Sequence, residues 1–223
     1  MKKVLCYSIW LTKQAPHQDK QKLYVKGLLN NLELAKIVYS DWEVWVYVGK
    51  NSISQDIKDK IKSNCTKMIE FDDTTPLFGS GVRFFPAGDK SIDYFCSKDA
   101  DASLSWKDKA CIDEWIKSGK DWLTMRDAEN HCKWPMIAQL WGCKGGLIDF
   151  EKEVKEYYKK NDKWWWDQCF LRDVVWPIAK KDCLDFDSNK LKDWGTKMLD
   201  FPPHKASKIY PRVGMSIIRN DHL

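Results

Sequence analysis

The chain has 223 residues, which is enough for one large domain whose core needs no disulfide bonds. Hydrophobic residues make up 43% of the sequence, and the formal net charge is only +5, with basic and acidic residues interleaved along the chain. This composition indicates a globular protein without a nucleic-acid partner. No apolar run approaches the ~20 residues that a membrane span needs.

Predicted strands and helices alternate along the first half of the chain. In order, they are a strand at 4–10, a helix at 27–36, a strand at 44–48, a helix at 56–63, strands at 67–71 and 92–96, a helix at 105–118 and a strand at 122–125. Ser105 is placed to cap the clearest of these helices, and Gly119 to end it. The alternation predicts an α/β domain with a central, mostly parallel sheet flanked by helices.

The pattern is looser beyond Gly145. A charged helix is predicted at 151–160 and another from Asp167 to Val175, while the tail after Leu199 reads as irregular. No repeat, low-complexity segment or linker divides the sequence, so a single domain over 1–223 is predicted.

The cysteines and the N-terminus bear on location. Eight cysteines occur without a CxxC motif or zinc-ligand spacing, which predicts reduced thiols in a cytoplasmic protein. The N-terminal apolar run is short and lacks a small-residue cleavage site, so it is interpreted as a buried first strand rather than a signal peptide.

Two aspartates follow the predicted strand at 92–96. Asp99 and Asp101 are two residues apart, which places both side chains on the same side of an extended chain. In open α/β sheets, ligands bind at the carboxyl ends of the strands. Adjacent carboxylates repel each other unless a cation lies between them, and oxygen ligands suit Mg²⁺ or Mn²⁺ bound together with a substrate phosphate. The pair therefore predicts a metal–diphosphate site.

The surrounding sequence resembles the DxD loop of GT-A-fold, nucleotide-sugar-dependent glycosyltransferases. The stretch "DAD" is followed by a Ser-rich turn, a helix ending "IDEWIKSGK" and a strand ending "MRD". Together with "QLWGCKGG" and "WWDQCFL", this order resembles small glycosyltransferase domains of large algal DNA viruses and of bacterial polysaccharide clusters. The resemblance spans roughly Val4 to Phe170 and is specific from Asp99 to Gly146.

The resemblance implies a single GT-A-like, Rossmann-like domain that transfers a sugar from a nucleotide diphosphate donor, with a UDP-sugar favoured, to a glycan or glycoprotein acceptor. The nucleotide-binding half would cover about 1–101, and the acceptor and sugar half about 102–223. The cofactor would be Mn²⁺ or Mg²⁺. A viral member would act in the host cytoplasm.

Donor and metal roles carry over to matching residues. The resemblance implies that Asp99 and Asp101 hold the metal and the diphosphate, with His204 completing the metal shell. Arg83 would face the donor phosphates, and tail residues such as Lys208 and Arg212 would add to the positive charge there. The nucleotide-base pocket would be formed by Ser8, Ile9 and Trp10.

Sugar-side roles carry over in the same way. Arg126 and Asp127 match the "RD" on the sugar side, and Trp141 and Gly142 match the "WG" that lines the donor sugar. The "DQ" at Asp167 and Gln168 resembles that of retaining members, where these side chains contact the transferred sugar. Asp127, Asp167 and Gln168 are therefore the candidate catalytic residues. The sequence departs from the family at 138–140, where Ala-Gln-Leu replaces a glycine-rich lead into "WG".

Two other classes of protein stay open from sequence alone. "DADAS" also fits the DxDx[ST] nucleophile loop of aspartate-dependent phosphatases, although that loop normally ends the first strand of its domain. The 13 tryptophans also fit a carbohydrate-binding module, which would need no DxD motif.

Overall fold

Eight strands form one sheet in the computed structural model, which describes residues 1–12, 21–75 and 77–205. In chain order they are β1 (Lys3–Ile9), β2 (Glu43–Gly49), β3 (Lys67–Phe71), β4 (Tyr94–Ser97), β5 (Trp122–Arg126), β6 (Trp141–Cys143), β7 (Cys183–Asp187) and β8 (Met198–Leu199). The spatial order is β3-β2-β1-β4-β6-β5-β7-β8. Strand β6 is antiparallel to both neighbours, and all other pairs are parallel.

Helices cover both faces of the sheet. They are α1 (Gln21–Val38), α2 (Gln55–Asn64), α3 (Gly79–Val82), α4 (Trp106–Ser118), α5 (Phe150–Tyr158), α6 (Trp166–Phe170) and α7 (Trp176–Ala179), with a π-helical turn at Leu171–Val175 between the last two. One core cluster contains apolar side chains of α1, α2 and α4. The other contains side chains of α5, α6 and α7. The buried apolar residues of the strands divide between these two clusters.

The predicted fold class is confirmed: the chain forms an α/β domain with a mostly parallel sheet flanked by helices. The cap prediction also holds, because Ser105 Oγ accepts a hydrogen bond from Asp108 N and Gly119 ends α4 with φ +69°. Strands β6, β7 and β8 are absent from the sequence-based prediction. The helix predicted from Asp167 begins one residue earlier and continues through the π turn.

The order of the strands places a topological switch point between β1 and β4. The chain runs outwards from β1 to β2 and β3, then returns to place β4 on the other side of β1. Ligands in open α/β sheets bind at such a switch point, outside the carboxyl ends of the strands. Cys6 pairs with Ser97, and Lys98 N donates to Cys6 O at 3.0 Å. Asp99 therefore lies immediately beyond the ladder, at this switch point.

All eight cysteines lie in the described ranges and are free thiols, as predicted. Among the helices that the structure describes, none has the length and apolar character needed to cross a bilayer.

Candidate active site

A buried arginine contacts two carboxylates at the switch point between β1 and β4. Arg83 Nη2 lies 2.8 Å from Asp99 Oδ1 and 3.2 Å from Asp167 Oδ2. The Arg83 side chain is only 6% exposed, whereas those of Asp99 and Asp167 are 29% and 16% exposed. We call Arg83, Asp99 and Asp167 the open cluster. It joins residues that are distant in sequence and that the sequence analysis had assigned to donor and sugar binding.

Two glycines in α3 determine the position of Arg83. Helix α3 ends one residue before it, and Gly79 and Gly81 in that helix have no space for a side chain. A Cβ at Gly79 would collide with the ring of Trp10, and one at Gly81 with the ring of Trp166. The helix is therefore wedged between two indoles, and its position fixes the start of the Arg83 side chain.

A serine on β4 orients the guanidinium. Arg83 Nε donates to Ser97 Oγ at 3.1 Å, and Ser97 Oγ donates to Ala138 O at 2.7 Å. Ser97 has no exposed surface. Since Arg83 uses Nε for Ser97 and Nη2 for both carboxylates, its evident task in this structure is to fix the positions of Asp99 and Asp167.

Helix α1 holds the loop that carries the aspartate pair. Asn31 is fully buried, and its Nδ2 donates to Ala100 O at 3.3 Å and to Ala102 O at 2.9 Å. Its Oδ1 accepts from Leu104 N at 3.1 Å. A Cβ at Gly27, one turn earlier, would lie 2.6 Å from Ala100 O. One amide side chain and one close backbone approach therefore fix the loop that bears Asp99 and Asp101.

Both aspartates of the pair affect the pKa of Tyr24. Burial raises the pKa of Tyr24 to about 12, and the charges of Asp101 and Asp99 add to this effect. Asp101 is partly exposed, as Asp99 is. Both carboxylates are therefore close enough to Tyr24 to influence its titration. Their oxygens have the chemistry that Mg²⁺ or Mn²⁺ requires.

Asp167 and Gln168 have different surroundings. Burial raises the pKa of Asp167, and the positive charge of Arg83 opposes the rise. Gln168 is 4% exposed, and its amide binds backbone groups at both ends: Nε2 donates to Met136 O, and Oε1 accepts from Ala138 N at 3.0 Å. In this structure the Gln168 amide holds the loop before β6, and its contact with a sugar stays a prediction.

A second arginine cluster lies farther along the sheet and is closed to solvent. Arg126 Nη2 lies 2.5 Å from Asp185 Oδ1, and Arg126 Nε lies 2.8 Å from Asp187 Oδ2. All three side chains are 0% exposed. We call these residues the enclosed cluster. It corrects the sugar-side role expected for Arg126, because a ligand has no access to the guanidinium.

Two further residues that were expected to line the donor sugar are buried. Trp141 is fully buried and packs against Trp122 and Phe150 in the second core cluster, so it cannot line a donor sugar. Gly142 pairs with Cys96, where a Cβ would lie 2.6 Å from Phe95 O, so packing inside the sheet explains this glycine. Both corrections have the same physical cause: β6 lies inside the sheet.

Asp127 is also mostly buried. Its carboxylate is 2.7 Å from Lys107 Nζ and accepts a hydrogen bond from Ser188 Oγ. With 6% exposure, it fixes the segment after β7 to α4. These contacts hold neighbouring segments together, and the catalytic role expected for Asp127 stays a prediction.

The expected base-pocket residues lie at the end of β1. Ile9 belongs to the first core cluster, and Trp10 packs on Gly79. Ser8 is 5% exposed, and its Oγ has no hydrogen-bond partner among the residues that the structure describes. A buried hydroxyl without a partner is costly, and the role of Ser8 in a base pocket stays a prediction.

The third metal ligand is the least supported expectation. His204 is exposed, and its Nδ1 lies 3.0 Å from Pro202 O. Within residues 1–12, 21–75 and 77–205, no group of three or more His, Cys, Asp or Glu side chains is arranged to hold a metal. Lys208 and Arg212 lie outside the described residues.

Sequence reasoning missed the residues that position the site. Asn31 and Gly27 lie on a helix whose other inward residues are apolar, and Ser97 ends a strand. A polar side chain on the buried face of a predicted helix was the one signal available for Asn31, since buried polar groups must find partners.

No protein-family model matches the chain, and no curated protein does. Solved structures to which the chain is similar include Staphylococcus aureus TarS 1–349 in complex with UDP, at a TM-score of 0.40 and 16% identity over 57% of this chain and 36% of that chain. Another is a 4-diphosphocytidyl-2C-methyl-D-erythritol synthase from Anaerococcus prevotii, at a TM-score of 0.48 and 14% identity over 76% and 83%. A third is mouse xyloside xylosyltransferase 1, apo form, at a TM-score of 0.38 and 11% identity over 77% and 80%.

The match to TarS 1–349 thus spans about a third of that chain. All three TM-scores are below 0.5, and a functional proposal must therefore rest on the site residues themselves.

Proposed function

We propose that this chain is a metal-dependent glycosyltransferase that moves a sugar from a nucleotide diphosphate donor, with a UDP-sugar favoured, to a glycan or glycoprotein acceptor. The observation that carries the proposal is the open cluster. A buried Arg83 holds Asp99, after β4, and Asp167, in α6, on one guanidinium nitrogen at the switch point of the sheet.

The positions of the two carboxylates give them different tasks. Asp99 belongs to the aspartate pair, so its end of the cluster is proposed to receive the diphosphate. Asp167 reaches the cluster from another segment and is partly exposed. It is proposed to accept a hydrogen bond from a hydroxyl of the donor sugar. Arg83 then fixes the separation between the phosphate end and the sugar end of the donor.

The proposed metal ligands are the two carboxylates of the aspartate pair. Asp99 and Asp101 supply oxygen atoms, which are the ligands that Mn²⁺ and Mg²⁺ prefer. Asp99 and Asp101 are proposed to hold Mn²⁺ or Mg²⁺ together with phosphate oxygens. When bound, such an ion neutralises the charge that develops on a departing diphosphate.

In the proposed reaction, the bond between sugar C1 and the diphosphate oxygen breaks, and its electron pair stays on the diphosphate. The acceptor hydroxyl oxygen forms the new bond to C1 and releases its proton to solvent. The chain contributes orientation: Asp167 fixes the sugar, and the loop held by Asn31 fixes the diphosphate. The resemblance of "DQ" favours retention of configuration, which proton NMR of the product's anomeric centre would test.

The test is a panel of nucleotide sugars with and without Mn²⁺, followed by thermal shift and by release of free nucleotide diphosphate. The true donor should stand out, because a ligand at a hundredfold excess over Kd adds ~2.7 kcal/mol to stability. Hydrolysis of p-nitrophenyl phosphate would instead indicate the phosphatase, and binding of glycans without any nucleotide release would indicate the binding module.

Asp101→Asn is the sharpest variant of this test. We expect it to weaken metal-dependent UDP binding at least a hundredfold, or about 2.7 kcal/mol, while the fold stays intact. Asp113→Asn is the matched control, because Asp113 is an exposed aspartate of α4 that pairs with Lys109. Calorimetric binding of UDP and Mn²⁺ that is equal in Asp101→Asn and the parent would refute the metal–diphosphate site.

A further inference from the structure

Trp165 is the most exposed of the tryptophans. It is 59% exposed, and its neighbour Trp164 is 43% exposed, whereas Trp166 is 2% exposed. Aromatic side chains normally supply much of a core, so an indole left in solvent is unusual. Exposed apolar surface of this kind commonly marks a binding site.

The backbone of Trp165 is strained as well. Its φ of +74° lies in the left-handed region, and within the described residues only Lys190 is another non-glycine residue with positive φ. Such a conformation is costly for a residue with a Cβ, and it persists only where the surroundings impose it. Here it turns the chain at the start of α6 and directs the indole away from the core.

The ring of Trp165 has a supporting partner. Its centroid lies 6.5 Å from that of Trp134, with an angle of 19° between the planes. The Arg172 guanidinium lies 5.5 Å from the Trp134 ring centroid. We call the Trp134–Trp165 pair the indole platform. It presents flat aromatic surface next to the exposed Arg172–Asp173 ion pair.

Both tryptophans of the platform are connected to the open cluster. Trp165 precedes Asp167 by two residues. Trp134 precedes the loop at 136–138, which Gln168 clamps through Met136 O and Ala138 N. Ala138 O in turn accepts from Ser97, the residue that orients Arg83. The platform therefore lies on the Asp167 side of the site, where the sugar rather than the diphosphate is proposed to be.

We infer that the indole platform binds a sugar ring of the acceptor. One face of a pyranose carries C–H groups that pack on an indole, while its edge carries hydroxyls that need polar partners. The indoles supply the flat apolar surface, and Arg172 and Asp173 supply polar partners for the hydroxyls. The inference rests on the proposed function, since it assigns the acceptor to the side of the site where Asp167 holds the donor sugar.

The test measures saccharide binding without any donor. Saturation-transfer NMR is recorded on the full chain with cello-, xylo- and chito-oligosaccharides of two to four units as probes. At least one probe should bind the parent, and Trp165→Ala should weaken its binding at least tenfold. Trp165→Phe, which keeps a flat ring, should stay within about threefold of the parent.

Trp165→Gly separates loss of the ring from loss of folding. Glycine accepts the left-handed backbone without strain, so this variant should be at least as stable as Trp165→Ala and yet bind saccharide equally poorly. Ile178→Ala, at another exposed apolar residue of the same helical segment, should bind like the parent. UDP affinity should be unchanged in all four variants.

Three results would overturn the inference: no probe binds the parent, Trp165→Ala binds as the parent does, or the variant changes the oligomeric mass and so marks a contact between copies. Any of these can occur while nucleotide diphosphate release persists, which would leave the proposed function standing. Conversely, saccharide binding that needs Trp165, in a chain that releases no nucleotide diphosphate, supports the platform and contradicts the transferase.

Discussion

The open and enclosed clusters contain the same chemical groups, one arginine and two aspartates, and both lie near the carboxyl ends of strands in one sheet. In the enclosed cluster every charged group already has fixed partners: Thr196 Oγ donates to Asp185 at 2.6 Å, and the backbone N–H groups of Asn189 and Lys190 donate to Asp187. In the open cluster the carboxylates keep part of their surface. Access, rather than residue type, separates a candidate binding site from a structural ion cluster.

Replacing the two arginines should give the largest contrast. Arg126→Met leaves two fully buried carboxylates without their cation, so we expect a loss of about 3–5 kcal/mol in the free energy of unfolding. Arg83→Met should cost clearly less, because water can solvate Asp99 and Asp167. Urea titrations of both variants measure this. Equal losses of stability in the two variants would show that the open cluster, like the enclosed cluster, only stabilises the fold.

The open cluster should also depend on the amide beneath its loop. Asn31→Leu leaves Ala100 O, Ala102 O and Leu104 N without their partner, which we expect to cost about 1–3 kcal/mol of stability. It should also weaken metal-dependent UDP binding, which a purely structural loss elsewhere would not do. Asn30→Leu, at the exposed neighbour on α1, is the control and should change neither.

Asp167 tests whether the open cluster acts on the sugar. It is not the cap of its helix, because Trp165 occupies that position. Asp167→Asn keeps the size of the side chain but loses the charge. We expect turnover to fall more than tenfold, or more than ~1.4 kcal/mol of transition-state stabilisation, with UDP affinity little changed. Turnover within about twofold of the parent would remove Asp167 from the sugar site.

The smallest expected effect concerns pH. The contributions of Asp167 and Asp187 to the free energy of unfolding should change in opposite directions as pH rises. Burial raises the pKa of Asp167, against the opposing charge of Arg83. Its contribution to stability is therefore full below the ordinary Asp pKa of ~3.9 and is lost as pH rises through the raised value. The free energy of unfolding of the parent minus that of Asp167→Asn should fall as pH rises through this window.

Asp187 should behave in the opposite way. Burial acts to raise its pKa, but hydrogen bonds from Arg126 and from the Lys190 and Asn189 N–H groups hold that pKa below the usual range. Its contribution to stability is present above ~3.9 and is lost as pH falls through the lowered value. The parent-minus-variant difference for Asp187→Asn should therefore rise with pH. Slopes of the same sign for both aspartates would contradict the comparison.

The sequence by itself determined the α/β order and the position of the aspartate pair. Hydrophobic periodicity, together with caps such as Ser105 and Gly119, predicted strands β1 to β5 and helices α1, α2 and α4, because these signals are local. It also placed Asp99 and Asp101 at the end of a strand. The ladder between β1 and β4 agrees with that placement.

Only the tertiary structure decided which charged residues are accessible. Strand β7 has the sequence CLDFD, in which two aspartates occupy positions without solvent exposure. These two aspartates make the segment differ from the usual pattern of a buried strand. Their charges are compensated by Arg126, which is more than fifty residues away in sequence. The "RD" at Arg126 resembled a sugar site, but the contacts with β7 enclose Arg126. Burial depends on long-range packing, which no local pattern of residues encodes.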